Sequence, residues 1–248
     1  MNIAMILAGG SGNRFGGDVP KQYTEVMGKP VLAYTLEVFE KCADIDAIQV
    51  VCQPEYASNV VKIAREYAIG KLCHIAFGGK SCPISIRNGV YSLADMLAPT
   101  DNVLLHMGVS PLVSCRDISA ALAVCRERGC CFTMHPVNIC MARPGGENWA
   151  DRDAQKEDFI ELNTPWAFRF GDMLDLYRQH EKSGRPLSDR DYTLSLWLAS
   201  GRRAWYTPGS PEGRLKITTP HDRDLFEGYL MLRSRRNENM KTPGGSHE

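Results

Sequence analysis

Apolar runs and helix-spaced apolar positions alternate along this chain in a regular order. Residues 2–7 are a short apolar run stopped by glycines, the pattern of a strand buried on both faces of a parallel sheet. Leu32, Thr35, Leu36 and Phe39 then recur at helical spacing, with Glu37, Glu40 and Lys41 between them and Pro30 just inside the helix start. Residues 47–52 are apolar and β-branched, which completes a βαβ unit, a connection that is right-handed in nearly all cases. Val60, Ile63, Ala64 and Tyr67 predict a second helix, and 72–77 a strand ending at Gly78-Gly79. A helix over 86–97, a strand over 103–106, a helix over 117–128 and a strand over 130–137 follow. This order predicts an α/β fold: a mostly parallel sheet with helices on both faces.

From 138 to 163 the alternation stops. Pro144-Gly145-Gly146-Glu147-Asn148 is a turn cluster between short extended pieces, so a hairpin-like arm is expected there, too long for a tight connection. Helices are expected over 171–181 and 189–199, a strand over 203–206, a short extended piece over 215–218 and a last helix over 220–233. The polar stretch 235–248, with its Pro-Gly-Gly, is expected to be a flexible tail. Residues 1–234 therefore form one domain carrying an arm at about 138–163.

Composition narrows the functions. Lys plus Arg and Asp plus Glu are 29 each, so no global charge favours nucleic acid or an anionic membrane as partner. No stretch approaches the roughly 20 apolar residues of a membrane-spanning helix, and the N-terminal run lacks the basic flank of a signal peptide. Nine cysteines, an odd number without a C-x-x-C pair, argue against a disulfide framework and a zinc site. The expectation is a cytoplasmic protein with reduced thiols, whose phosphate binding, if any, is local.

The first strand runs into such a local site. Leu7 and Ala8 lead to Gly9, Gly10, Ser11 and Gly12, where glycine lets the backbone approach a phosphate and a run of N–H groups can form an anion nest. The loop is neither a Walker loop nor a G-x-G-x-x-G fingerprint, and by itself it could be a plain glycine turn. Two cations change that reading. Arg14 closes the loop and Lys21 follows in Pro20-Lys21-Gln22-Tyr23, placed to neutralise a pentavalent phosphorus and departing pyrophosphate. Of the histidines, 74, 106, 135 and 180 are scattered without ligand spacing, although His106 at a strand end could touch a ligand.

Leu7-Ala-Gly-Gly-Ser-Gly-Asn-Arg14, with Pro20-Lys-Gln-Tyr23, resembles the signature of the cytidylyltransferases acting on methylerythritol phosphate and on ribitol phosphate. The resemblance extends to about residue 230 and implies a Rossmann-like, GT-A-like nucleotidyltransferase fold. By the same resemblance, Gly78-Gly79-Lys80 with Ser85 and Asn88-Gly89 reads the cytosine edge, and Lys216 in Lys216-Ile-Thr-Thr-Pro220 holds the triphosphate and acceptor phosphate. Thr164, in Thr164-Pro165-x-x-Phe168, and Ser188-Asp189 fall on its acceptor side, and the arm implies a homodimer. The implied reaction moves CMP from CTP to a sugar or polyol phosphate, with Mg²⁺ on the phosphates and pyrophosphate released.

Departures concentrate on the metal and the acceptor. Where the family has His-Asp-x-x-Arg-Pro, this chain has His106-Met107-Gly108-Val109-Ser110-Pro111. A thioether is a poor ligand for a hard cation, and Ser110 cannot grip a phosphate as an arginine does. Cys82 replaces an arginine near the cytosine loop, Ile139-Cys140 replaces an Asp-Thr pair, and the arm's arginine falls near Lys156. Asp189 or Asp191 could supply a replacement carboxylate. Two readings follow: a cytidylyltransferase whose acceptor is not methylerythritol phosphate, or a catalytically impaired paralogue that binds a nucleotide or a protein partner.

Overall fold

The computed structural model describes residues 1–10 and 19–241. Ser11, Gly12 and Arg14 of the glycine loop therefore lie outside the described residues. The first strand, β1 (Asn2–Leu7), is followed by a small hairpin of β2 (Glu25–Val26) and β3 (Lys29–Pro30). Met27 and Gly28 turn that hairpin with φ of 50° and 75°, the left-handed pair that a two-residue turn requires. Helix α1 (Val31–Lys41), β4 (Ala47–Cys52), α2 (Ala57–Glu66), β5 (Leu72–Phe77), α3 (Cys82–Tyr91) and β6 (Asn102–Met107) continue the alternation. Next come α4 (Cys115–Arg128), β7 (Cys130–Pro136), an antiparallel arm of β8 (Met141–Pro144) and β9 (Ala150–Ala154), and β10 (Ile160–Arg169). Helices α5 (Phe170–Lys182) and α6 (Thr193–Ala199), strand β11 (Tyr206–Pro208) and helix α7 (Pro220–Lys241) end the described chain.

Seven strands form the sheet in the order β11-β7-β10-β6-β1-β4-β5, with β10 antiparallel to both neighbours and every other pairing parallel. Alternate side chains feed two cores. Ala4, Ile6, Ile48, Val50 and Leu104 meet Leu36 and Phe39 of α1, Ile63 of α2 and Leu122 of α4. Ile3, Met5, Val103, Leu105 and Phe132 meet Val90 of α3, Met173 and Tyr177 of α5 and Trp197 of α6. Both faces are covered, as the sequence pattern predicts.

Strand β10 is absent from the sequence expectation, although Ile160, Leu162, Trp166 and Phe168 alternate at strand period. Pro165 hid it, because proline ordinarily excludes a run from the middle of a sheet. Here the register shifts between Asn163 and Trp166, and Thr133 Oγ1 donates to the Pro165 carbonyl at 2.8 Å. Helix α3 begins earlier than residue 86, since Ser81 caps it and Pro83 suits its first turn. The helix expected over 189–199 starts at Thr193, because Asp191 draws the N–H and hydroxyl of Ser188 into a turn before it. Residues 203–205 lead into β11 instead of forming it. Helix α7 continues through 235–241, where a tail was expected, as no Gly or Pro lies in that stretch, and the rest of the expected tail, 242–248, lies outside the described residues. Among the described residues, no helix is long and apolar enough to cross a membrane, and all nine cysteines are free.

Candidate nucleotide site

Chain order reverses between β1, whose other neighbour is β4, and β6, which leads towards β7. In open α/β sheets a ligand crevice forms outside the carboxyl ends of the strands at such a switch point. The ends of β1 and β6 are tied there by the Gly108 N–H, which donates to the Leu7 carbonyl at 2.9 Å. A Cβ at Gly108 would lie 2.9 Å from Leu32 Cδ1 and 3.1 Å from that carbonyl, so this close approach requires glycine.

The backbone leaving β1 is oriented by side-chain amides. Buried Gln22 donates from Nε2 to the Ala8 carbonyl at 2.7 Å and the Gly10 carbonyl at 3.0 Å. Gln53, just after β4, donates to the Gly9 carbonyl at 3.0 Å. A peptide's carbonyl and the next N–H point in opposite directions. Holding the Ala8 and Gly9 carbonyls inward therefore turns the Gly9 and Gly10 N–H groups outward. Neither N–H has an acceptor among the described residues, and Gly10 is exposed. That is an anion-binding arrangement. Lys21, between buried Pro20 and buried Gln22, stands beside this loop in sequence and is half-buried.

A second glycine loop flanks the first. The Gly78 N–H donates to the Cys52 carbonyl at 2.8 Å, and the Gly79 N–H to Ser85 Oγ at 3.0 Å, while Ser85 Oγ donates to the Ser81 carbonyl at 2.9 Å. A Cβ at Gly79 would lie 2.2 Å from Ile84 Cγ2, which leaves no room for another residue. Asn88 donates to the Phe77 carbonyl, and Lys80 is exposed at the loop's tip.

Lys216 arrives from the far end of the sequence. The Ile217 N–H donates to the Val109 carbonyl at 2.8 Å, and Ile217 is buried with Val26, Val31, Val109 and Phe226. Asp222, in the first turn of α7, accepts from the N–H and hydroxyl of both Thr218 and Thr219. These donors hold its carboxyl at about 2, against the cost of partial burial. The link is present above the usual carboxylate value and is lost only as pH falls through about 2. The Lys216 ammonium lies near enough to oppose the rise that burial imposes on the Cys82 thiol, and it adds to the depression of buried His106. Lys216 is thus within electrostatic range of both Cys82, at the start of α3, and His106 of β6.

Other expected residues are placed differently. His106 is fully buried on the α1 face of the sheet beside Phe39, with Nε2 on the Ser110 carbonyl at 2.9 Å and burial holding it neutral. Its side chain is closed off from solvent. Ser110 is buried, and Thr164 is buried with its N–H on the Asn163 side chain. Exposed Ser188 bonds to Asp191 within its own loop, Asp189 is exposed beside it, and exposed Lys156 lies in the turn Lys156–Asp158 between β9 and β10. Gln22 and Gln53 were not among the sequence-derived site residues. Pro20-Lys21-Gln22 pointed to the first, whereas nothing local marks the second.

A protein-held magnesium does not fit the described side chains. Half-buried Met107 offers a thioether at the end of β6, and among the described residues no group of three or more His, Cys, Asp or Glu is placed to hold a metal ion. Asp117, the buried carboxylate of α4, is occupied by Ser114 and Ser210.

Residues 2–232 match the family model described as IspD: 2-C-methyl-D-erythritol 4-phosphate cytidylyltransferase. The chain belongs to this family of cytidylyltransferases. A ribitol-5-phosphate cytidylyltransferase of Lacticaseibacillus paracasei is 31% identical over 93% of this chain and 98% of its own length. One from Vibrio parahaemolyticus is 30% identical over 93% of this chain and 96% of its own. A 2-C-methyl-D-erythritol 4-phosphate cytidylyltransferase of Clostridium novyi is 27% identical over 97% and 98%. The crystal structure of 4-diphosphocytidyl-2C-methyl-D-erythritol synthase from Anaerococcus prevotii superposes with a TM-score of 0.76 at 23% identity, covering 93% of this chain and 96% of that one. The fold of this cytidylyltransferase family is therefore the fold of this chain, and the switch-point crevice is where its chemistry is sought.

Proposed function

We propose that this cytidylyltransferase-family enzyme transfers CMP from CTP to a linear polyol phosphate of the ribitol 5-phosphate class. The paired outward N–H groups of Gly9 and Gly10, at the carboxyl end of β1 beside the switch point of the sheet, carry this reading. A phosphate oxygen of the acceptor attacks the α-phosphorus of CTP in line. The new P–O bond forms as the α–β anhydride bond breaks, and the electron pair leaves with pyrophosphate. Gly9 and Gly10 cradle the leaving phosphates. Lys21 and Lys216, with Arg14, supply positive charge where negative charge accumulates. The Gly78-Gly79 loop and Ser85 read cytosine through backbone groups.

Ser110, in place of the arginine that the family resemblance puts at the acceptor site, favours an acceptor other than methylerythritol phosphate, whereas Met107, in place of a carboxylate, bears on the metal. The 31% and 30% identities to ribitol-5-phosphate cytidylyltransferases support the same choice. The test is pyrophosphate release with CTP and Mg²⁺ or Mn²⁺ against ribitol 5-phosphate, other pentitol and tetritol phosphates, sugar phosphates and methylerythritol phosphate. We expect the highest kcat/KM with ribitol 5-phosphate. CTP binding without turnover on any acceptor would overturn the proposal.

The proposal includes a homodimer formed through the arm, in the cytoplasm. Ile139 is 70% and Trp149 63% exposed on or beside the arm, an apolar display suited to a second copy. Sedimentation velocity at micromolar concentration is expected to give a dimer, and replacing Trp149 with Glu a monomer. A monomeric wild-type protein would contradict this assembly.

A further inference from the structure

The two glycine loops come from different crossovers, one after β1 and one after β5, and a nucleotide that spans them needs them at a set separation. Gln53 lies between them. Its Nε2 donates to the Gly9 carbonyl at 3.0 Å and reaches the Gly79 carbonyl at 3.5 Å. The same nitrogen sits 3.8 Å and 3.7 Å from where a Cβ would stand on Gly9 and Gly78. Both loops thus close on a single amide from opposite sides. A primary amide has two N–H groups in one plane, so it can hold two carbonyls at once, which a hydroxyl cannot. Gln53 itself follows Cys52, whose carbonyl anchors the Gly78 N–H, and Val51, whose carbonyl anchors the Ala8 N–H at 2.8 Å. The end of β4 therefore serves as the common base of both loops.

Resting on the cytidylyltransferase reading, we infer that Gln53 is a positioning residue that sets the spacing between the triphosphate-holding loop and the cytosine-reading loop. It touches neither the reacting phosphorus nor the base. Its contribution appears only with a ligand that engages both loops, because the second contact of a two-point ligand depends on the geometry between the points. Ligands reaching one loop depend on it less: Gln53 orients only the Gly10 N–H of the first loop, while Gln22 holds the Gly9 N–H.

The experiment uses the full-length protein with Gln53→Met, similar in size without a donor, and Gln53→Ala as a smaller neutral control. Gln53 is half-buried and outside the cores, so both variants are expected to fold, which circular dichroism checks. Binding of CTP, of inorganic triphosphate and of cytidine is measured by calorimetry or ligand-observed NMR in magnesium buffer. We expect the CTP dissociation constant to rise about tenfold, as for loss of a fixed two-point geometry, with inorganic triphosphate rising only about two- to threefold through the Gly10 N–H and cytidine changing less than about twofold. KM for CTP rises in parallel, while KM for the acceptor stays put. Unchanged CTP binding in both variants, or an equal loss for all three ligands, overturns the inference. Failure of the wild-type protein to bind CTP overturns the cytidylyltransferase reading of the site instead.

Discussion

Replacing Lys216 with Ala is expected to lower kcat/KM by about 10²–10³-fold, the range for removing one preorganised charge from a developing anion. Lys216 is exposed, so its loss should leave thermal stability nearly unchanged. The position is nevertheless tightly held. Ile217 beside it is buried and bonded to Val109, and Asp222 gathers the next two residues into the start of α7. An ammonium on such a support loses little entropy when it meets phosphate, which is the condition for a large effect. Lys216→Arg should recover only part of the activity, since a planar fork does not reproduce a compact point charge. Steady-state kinetics with saturating acceptor check this. A change below threefold in Lys216→Ala would remove Lys216 from the transition-state charge.

Replacing Phe226 with Ala is expected to cost about 3–5 kcal/mol, typical for truncating a fully buried aromatic ring. The ring is 0% exposed and meets Tyr34 edge-on, with centroids 5.1 Å apart and planes at 89°. With Val26, Val31, Val109 and Ile217 it forms a third, separate core. That core fastens the first turns of α7 to the sheet and so carries the Lys216 segment. Thermal denaturation should show a midpoint lowered by roughly 10 °C, from about 2–4 °C per kcal/mol in a chain of this size. KM for CTP should rise as well, because Lys216 loses its support. Lys216→Ala loses activity without stability, whereas Phe226→Ala loses both, and equal thermal midpoints for Phe226→Ala and wild type would show that α7 docks by other means.

Magnesium remains a matter of the side chains present. The end of β6 carries Met107 with no carboxylate cage among the described residues, and the carboxylates of Asp117 in α4 and Asp222 in α7 are engaged by hydroxyls and N–H groups of their own segments and of Ser210. Asp117 closes the capping box of Ser114 at the start of α4 and binds Ser210, and Asp222 accepts from Thr218 and Thr219 at the start of α7. Both are structural. Their low carboxyl values come from hydrogen bonds that a metal would have to displace.

The first glycine loop, the basic residues after it and the alternation of strand and helix could be read directly from the chain. These are local properties: glycine runs, apolar period and cap residues act within a few positions. The two-faced sheet followed from them, since continuous apolar strands such as 2–7 and 47–52 demand cover on both sides. Strand β10 did not follow, because Pro165 weakens the local signal and only a bulge together with Thr133 makes it acceptable. His106 could not be assigned a face from its position at a strand end. A shift of one residue along a strand reverses the side, and pairing with its neighbours decides which applies. Gln53 lies outside any recognisable motif, and its meeting with Gly9 and Gly79 exists only because β1, β4 and β5 are adjacent in the sheet. Lys216 was legible as a residue type, but its closeness to Cys82 and β6 required a chain of more than a hundred residues to fold back. The sequence by itself determined that phosphate chemistry belongs at the end of the first strand. Tertiary structure alone decided which distant side chains hold the backbone that enters that loop, since those contacts join segments with no local signal between them.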